Sequence, residues 1–373
     1  MKILHINCNY LGNVLHQRMI DHLNKLNIEN HVFVGVCNDK NLAVNFKDNV
    51  AVEKCFYKVD RCFFDLKQKK IRKCLEKRFD VSKFACIHAY TLFTDGNCAM
   101  RLNQKYNIPY IVAVRNTDVN VFLKKVIYLR KRGIEILKGA SAVFFLSEPY
   151  KKQVFDEYIP DEYKEDLLAK TYIIPNGIDD FWFDNCPLNM EMNDFEKNDE
   201  LKLVFAGRIN YNKNIQTIQQ AMKILKTQGV KTCLTVVGNV ENKKLFNKIC
   251  QDKQTVYIPA VPKEELINIY RKNQIFVMPS YNETFGLVYA EAMSQGLPVV
   301  YTRGQGFDGQ FKEGEVGYSV VANSPEEVAQ NIIKINNNIH SMRENCIHNV
   351  FKFKWKNIVK EYEKIYLKLI EDR

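Results

Sequence analysis

From end to end this chain repeats one unit: an apolar run of four to seven residues, a polar turn, an amphipathic helical stretch, then another apolar run. Expected strands in the first half are residues 3–8, 31–36, 51–57, 85–89, 110–115, 142–146 and 172–174. In the second half they are 202–206, 233–237, 255–258, 275–278, 298–301 and 318–320. Helical patterns lie between them, among others at 17–26, 215–225, 264–271 and 288–295. Strands too apolar to keep a wet face, alternating with helices, predict parallel sheets covered on both sides: a doubly wound α/β fold.

The rhythm pauses once, at 181–200 (FWFDNCPLNMEMNDFEKNDE), a polar, acidic stretch that follows Pro175-Asn176-Gly177 and precedes a fresh strand. With 373 residues available, two domains are expected, 1–180 and 181–355, joined through this linker. Residues 357–370 (NIVKEYEKIYLKLI) form an amphipathic helix too long to be a frayed end, so it must dock.

Residues 1–6 read as a first buried strand rather than a signal peptide. No stretch approaches the roughly 18–20 apolar residues of a membrane span, so any membrane contact is expected to be peripheral. The eleven cysteines are scattered without C-x-x-C pairs, and Cys8, Cys86 and Cys233 sit inside apolar runs. That usage fits a reducing cytoplasm without structural disulfides or metal. The net charge of +11 is concentrated at 67–78 (KQKKIRKCLEKR) and 124–132 (KKVIYLRKR). Two readings stay open for these runs: solvated helix faces, or patches for an anionic membrane or an acidic substrate. Val126, Ile127 and Leu129 interleave with the charges of the second run, as an interfacial helix or an ordinary core stripe would. The aromatics form no base-stacking platform and no nucleic-acid signature is present, so nucleic acid is not an expected partner.

The sharpest motif is 279–298, PSYNETFGLVYAEAMSQGLP. Glu283 follows the expected strand 275–278 and stands just before a helix start around 285–287, where exposed N–H groups favour anions. Glu291 falls two turns on, on the face of residues 284, 287 and 288. Either glutamate on its own reads equally as a solvated residue or a helix-dipole partner.

Other segments complete a pattern. Gly207-Arg208 ends the expected strand 202–206, and Lys213 follows five residues on (GRINYNKN). Pro175-Asn176-Gly177-Ile178-Asp179 sits at the domain junction, Leu11-Gly12-Asn13 with His16 opens the chain, and Phe353 with Trp355 precedes the last helix. Together these resemble retaining glycosyltransferases of the GT-B fold, glycosyltransferase family 4, over nearly the whole chain. They match that family's E-x7-E, G-R-x4-K, P-N-G-[IV]-D and G-G-x3-H stretches, the last with one of its two glycines.

The resemblance implies two Rossmann-like domains facing a central cleft, an acceptor side at 1–180 and a donor-binding domain at 181–355. The helix 356–373 would cross back onto the first domain. It implies transfer of a sugar from a nucleotide diphosphate to an acceptor hydroxyl with retention and without an obligatory metal or cofactor. UDP is the leading donor nucleotide, and the acceptor is a glycan or a lipid-linked sugar. Arg208 and Lys213 would hold the donor diphosphate. Glu283 would bond the donor sugar hydroxyls and Glu291 the ribose, while backbone N–H groups of Thr284, Phe285, Gly286 and Leu287 take sugar and diphosphate. Gly12 would admit the phosphates, and His88, in HAYTLFTDG, would line the acceptor side. Where many members carry a His, this chain has Arg115-Asn116-Thr117-Asp118. Arg115 and Asn116 are then expected at the substrate, and Asp118 orients an acceptor hydroxyl or caps a turn.

Gly304-Gln305-Gly306-Phe307-Asp308-Gly309 satisfies G-x-G-x-x-G, but loop and strand residues follow it instead of the helix a dinucleotide site needs. It reads as a glycine loop near donor or acceptor. The abundance of Lys, Asn and Ile suggests an AT-rich bacterial genome and surface polysaccharide or glycoconjugate synthesis, in the cytoplasm or at the inner membrane face. Rival expectations are a nucleotide-sugar hydrolase or epimerase on the same fold, and a non-catalytic partner subunit.

Overall fold

The computed structural model describes residues 1–38, 47–187 and 200–371. Residues 188–199 of the expected linker, and 372–373 of the last helix, lie outside the described residues.

All thirteen expected strands are present, with no end shifted by more than two residues. They are β1 (Lys2–Ile6), β2 (Glu29–Cys37), β3 (Val50–Phe56), β4 (Cys86–Ala89), β5 (Tyr110–Ala113), β6 (Ala142–Phe145) and β7 (Thr171–Ile173). The second set is β8 (Glu200–Ala206), β9 (Lys231–Val237), β10 (Thr255–Ile258), β11 (Ile275–Val277), β12 (Val299–Thr302) and β13 (Gly317–Val320). The helices are α1 (Val14–Leu23), α2 (Phe64–Arg78), α3 (Thr94–Tyr106), α4 (Arg130–Gly139), α5 (Glu148–Glu157), α6 (Asp161–Leu168) and α7 (Asp180–Asp184). They continue as α8 (Ile215–Thr227), α9 (Lys243–Ile249), α10 (Lys263–Arg271), α11 (Leu287–Met293), α12 (Pro325–Asn337), α13 (Ile339–Asn349) and α14 (Trp355–Glu371).

The chain divides into two compact units. In the first, seven strands run in the order β3-β2-β1-β4-β5-β6-β7; in the second, six run β10-β9-β8-β11-β12-β13. Pairings are parallel in both sheets, β1 lying between β2 and β4 and β8 between β9 and β11. Central strands such as β4, β5, β6 and β11 are buried at every position. Helices on both faces remove any solvent side, so apolar residues fill consecutive positions.

The unit boundary falls at Pro175/Asn176, inside the Pro-Asn-Gly-Ile-Asp segment, and the chain returns to the first unit at Trp355. On the second unit these two passages are neighbours, since the Ile178 N–H donates to the Phe353 carbonyl at 3.0 Å. Asp179 caps α7 through the Phe181 N–H and ion-pairs with Lys263 at 2.5 Å.

Helix α14 explains why a terminal segment is ordered. Trp355, Ile358, Val359, Tyr362, Ile365 and Tyr366 repeat at helical spacing and are all buried within the core of the first unit, with Met19, Ile20 and Leu23 of α1. Each such side chain contributes about 1.5–3 kcal/mol on burial, far beyond what an isolated helix of this length supplies itself.

Candidate active site

In the second unit the strand order reverses between β8 and β11: β9 and β10 extend to one side, β12 and β13 to the other. Loops leaving the carboxyl ends of two such strands open a crevice, the usual ligand position in a doubly wound sheet. The loop after β8 carries Arg208 and Lys213; the loop after β11 carries Glu283. The Lys213 ammonium meets the Glu283 carboxylate at 2.5 Å, each side chain only 14% exposed.

Asparagines bind these loops together. Asn210 accepts from the Lys213 N–H at 3.1 Å and donates to Glu241 at 2.7 Å. Asn212 donates to the Asn282 carbonyl at 2.9 Å and accepts from the Asn282 N–H at 3.0 Å. Asn214, at φ +54°, donates to the Pro279 carbonyl at 3.0 Å. Left-handed φ is tolerated by Asn better than by most residues with a Cβ. Arg208 is 68% exposed and pairs with Glu241 at 3.0 Å. The Asn210 amide, and then Arg208, hold the Glu241 carboxyl below its ordinary range.

The glycine loop braces Glu283. Its N–H donates to the Gln305 side-chain oxygen at 2.8 Å, and the Gly306 N–H donates to its carbonyl at 2.9 Å. A Cβ on Gly306 would sit 1.9 Å from the Thr284 carbonyl oxygen, so the two loops touch backbone to backbone. Expected near donor or acceptor, this loop braces the backbone of Glu283.

Gly286 begins α11 at φ +74°, and a Cβ there would fall 2.4 Å from the Tyr289 ring. Among the described residues, the N–H groups of Phe285, Gly286 and Leu287 donate to no other backbone group. The Phe285 side chain is buried against Phe353 and Phe307, so only its backbone is available to a ligand. Thr284, Leu287 and Glu291 share a half-buried face, while Tyr289, Ala290 and Ala292 pack inward.

In the first unit the order reverses between β1 and β4. Gly12 lies in the turn after β1, and a Cβ there would meet nothing within 4 Å, so packing does not demand the glycine. Arg115 follows β5; its Nε donates to the Tyr90 carbonyl at 3.4 Å. Asn116 accepts from Asn120 at 2.9 Å.

Two residues need correction. His88 is fully buried: Nδ1 faces the Tyr366 hydroxyl of α14 at 2.6 Å, and its ring stacks on Tyr90 at 4.4 Å. Burial lowers its pKa well below 6.5. It is a core residue, and no ligand touches it without opening the fold. Asp118 is 1% exposed, and its carboxylate accepts from the N–H groups of Leu92, Phe93 and Arg115 at 3.0, 3.2 and 2.9 Å. It staples the loop after β4 rather than facing an acceptor. Burial raises its pKa to about 6, against those three bonds.

Asp95, unmarked in the sequence, does the same for the loop after β1: it accepts from the Cys8 N–H at 3.1 Å and the Thr91 hydroxyl at 3.0 Å. Burial pushes its pKa to about 7. Its only sequence signal was its place seven residues after His88, beyond an expected strand; the structure puts it in the first turn of α3.

Residues 190–353 match the family described as Glycosyl transferases group 1. This chain carries a glycosyl transferases group 1 domain and is a glycosyltransferase. It is 26% identical over 313 residues to an uncharacterized glycosyltransferase of Methanocaldococcus jannaschii, covering 77% of this chain and 76% of the relative. It is 28% identical over 217 residues to the capsular polysaccharide biosynthesis glycosyltransferase CapM of Staphylococcus aureus, 56% of each chain. Among solved structures, the lipopolysaccharide outer core galactosyltransferase WaaB aligns with a TM-score of 0.76 at 12% identity, over 99% of both chains. Anabaena HepE in complex with UDP and glucose aligns at 0.66 and 15% identity, over 98% of both. At these identities the structures establish the fold: the glycosyltransferase has GT-B architecture, two Rossmann-like α/β domains. Among the described residues no helix is long and apolar enough to cross a membrane.

Proposed function

We propose that the glycosyltransferase moves a sugar from a UDP-sugar to a hydroxyl of a growing surface glycan, with retention and without a metal. The observation that carries this reading is the Lys213–Glu283 pair at the switch point of the second unit, with Arg208 on the same loop as Lys213. In this reading the second unit binds the donor and the first the acceptor. Lys213 and Arg208 take the diphosphate, leaving Glu283 to accept from the sugar hydroxyls. Glu291, two turns along α11, takes the ribose. The bond from anomeric carbon to diphosphate oxygen breaks and the bond to the acceptor oxygen forms on the same face. The acceptor proton passes to the departing diphosphate, so the protein supplies fixed positive charge rather than a base. Retention and the metal-free mechanism rest on the family resemblance. The donor base is supported by the UDP of the Anabaena complex, and the pathway by the capsular relative.

A lipid-linked acceptor at the inner membrane face is supported by exposed Ile127 and Tyr128, set among Lys124, Lys125 and Lys131. Leu129 is buried and the segment is broken before α4, so any contact is this short protrusion rather than a continuous interfacial helix.

Titrating UDP into wild type, Arg208→Ala and Glu291→Ala tests the donor site: both variants should bind at least about tenfold more weakly, the loss of one charge-assisted contact. Unchanged binding in both refutes it. Product NMR reads the anomeric configuration, and turnover in excess EDTA reads metal independence.

A further inference from the structure

A second, unassigned cavity of about 560 Å³ lies on the first unit among α2, α3 and α4. Five cations line it, Lys69, Arg72, Arg101, Lys105 and Arg132, against one carboxylate, Asp65. Asp65 is engaged by Arg132 at 3.4 Å, and Lys105 by Glu76 at 2.9 Å. Among the described residues, Lys69 and Arg72 have no carboxylate partner, so the cavity keeps positive charge that no protein carboxylate offsets.

The floor is built from buried polar groups. Arg132 donates to the Asn97 side-chain oxygen at 3.0 Å, and the Asn97 amide reaches Gln68 Oε1 at 3.5 Å. Asn97 is 2% and Gln68 3% exposed. The relay ends on Gln68 Nε2, which is buried and has no hydrogen-bond partner. A buried amide donor left unsatisfied costs about 1–3 kcal/mol, and a ligand acceptor would recover that.

We infer that this cavity binds a phosphate-bearing group. Guanidinium, ammonium and amide NH2 groups are all donors, and they outnumber the two oxygens of a carboxylate. The volume exceeds a lone phosphate and is in the range of a small-molecule site, which fits a phosphate ester, a diphosphate or a lipid headgroup. None of the residues assigned to sugar transfer lines it, so the site stands apart from that chemistry. Apolar Phe63 and Leu66, close in sequence to Asp65 at the start of α2, are exposed, as an approach from a lipid surface would use.

Inorganic pyrophosphate is the probe, titrated by calorimetry into the full chain at constant ionic strength. Because the donor site also accepts diphosphate, the titration uses the Arg208→Ala/Lys213→Ala background. Binding should persist there and weaken at least about tenfold on adding Lys69→Ala/Arg72→Ala, which removes two charged contacts. Gln68→Leu, which removes the orphan donor without a charge change, should weaken it by a smaller factor. Circular dichroism confirms each fold, and no binding in the background chain, or equal binding in all, overturns the inference. Vesicles of phosphatidic acid against phosphatidylcholine then separate the sources. Loss of phosphatidic acid co-sedimentation in Lys69→Ala/Arg72→Ala, with competition by free pyrophosphate, identifies a lipid headgroup. Unchanged co-sedimentation alongside lost pyrophosphate binding identifies a free phosphate compound.

Discussion

The Lys213 ammonium stands 2.5 Å from the Glu283 carboxylate, although 70 residues separate them in the chain. Neither group is free to serve a ligand until the other is compensated, and a diphosphate does this by drawing Lys213 to itself. Lys213→Ala should therefore cost about 2–4 kcal/mol of transition-state stabilisation, roughly 30- to 1000-fold in kcat/KM. It also leaves Glu283 uncompensated, so Tm should fall. Adding Glu283→Gln should restore Tm but not turnover, because the stranded charge is gone while the diphosphate contact is still missing. Wild-type turnover in Lys213→Ala would refute the assignment.

Gly306 should be irreplaceable for steric reasons alone. Its φ is not in the left-handed region, yet a Cβ would overlap the Thr284 carbonyl. Alanine there should displace Glu283 and lower kcat/KM by at least about tenfold, as small misplacements of reacting groups do. Gln305→Ala removes one hydrogen bond to the same residue and should cost less. Steady-state kinetics showing the reverse order would remove the bracing role.

Asp118→Asn should act on stability. Replacing a buried acceptor of three backbone N–H groups should cost about 1–3 kcal/mol in urea melts. At a temperature where the variant is folded, kcat/KM should stay within about twofold of wild type, as for a residue that touches no substrate. A hundredfold loss of kcat/KM (about 2.7 kcal/mol) with unchanged Tm would return Asp118 to the catalytic set.

Stability between pH 7 and pH 4 should reflect two opposed terms. Burial lowers His5 to a pKa of about 4 and His16 to about 3, from 6.5. Their contribution is complete above pH 6.5 and is lost as pH falls toward those values, since only the unfolded chain takes up the protons. Asp95 and Asp118 are raised to about 7 and about 6, from 3.8. Here the folded chain binds the extra proton, so stability rises as pH falls through the same window. Asp95→Asn removes one of the compensating terms, and its urea-melt stability should fall more steeply from pH 7 to pH 5 than that of wild type. Parallel curves would contradict this account.

Central strands such as β4, β5, β6 and β11 were legible because a strand buried on both faces declares itself in its own few residues, whatever it pairs with. The half-buried edge strands β7 and β10 showed only as short apolar runs. The spacings of Gly207 to Lys213 and of Glu283 to Glu291 were legible for a similar reason: each lies within one strand-loop-helix segment. What the sequence determined, then, was each local element and the residue types at its carboxyl end.

Tertiary structure decided which of those ends meet. Placing β8 beside β11 brings Lys213 to Glu283 and lets Asn212 and Gly306 hold the loops. Fates of single polar residues were settled the same way. His88 reads as a ligand or as core until Tyr366, 278 residues later, reaches its ring; Asp118 reads as an acid or a cap until the loop after β4 closes over it. The orphan amide of Gln68 and the cations around it lie on three helices that only the sheet sets side by side. A local pattern records what one segment buries; the partner a polar group finds depends on long-range packing, which no single segment encodes.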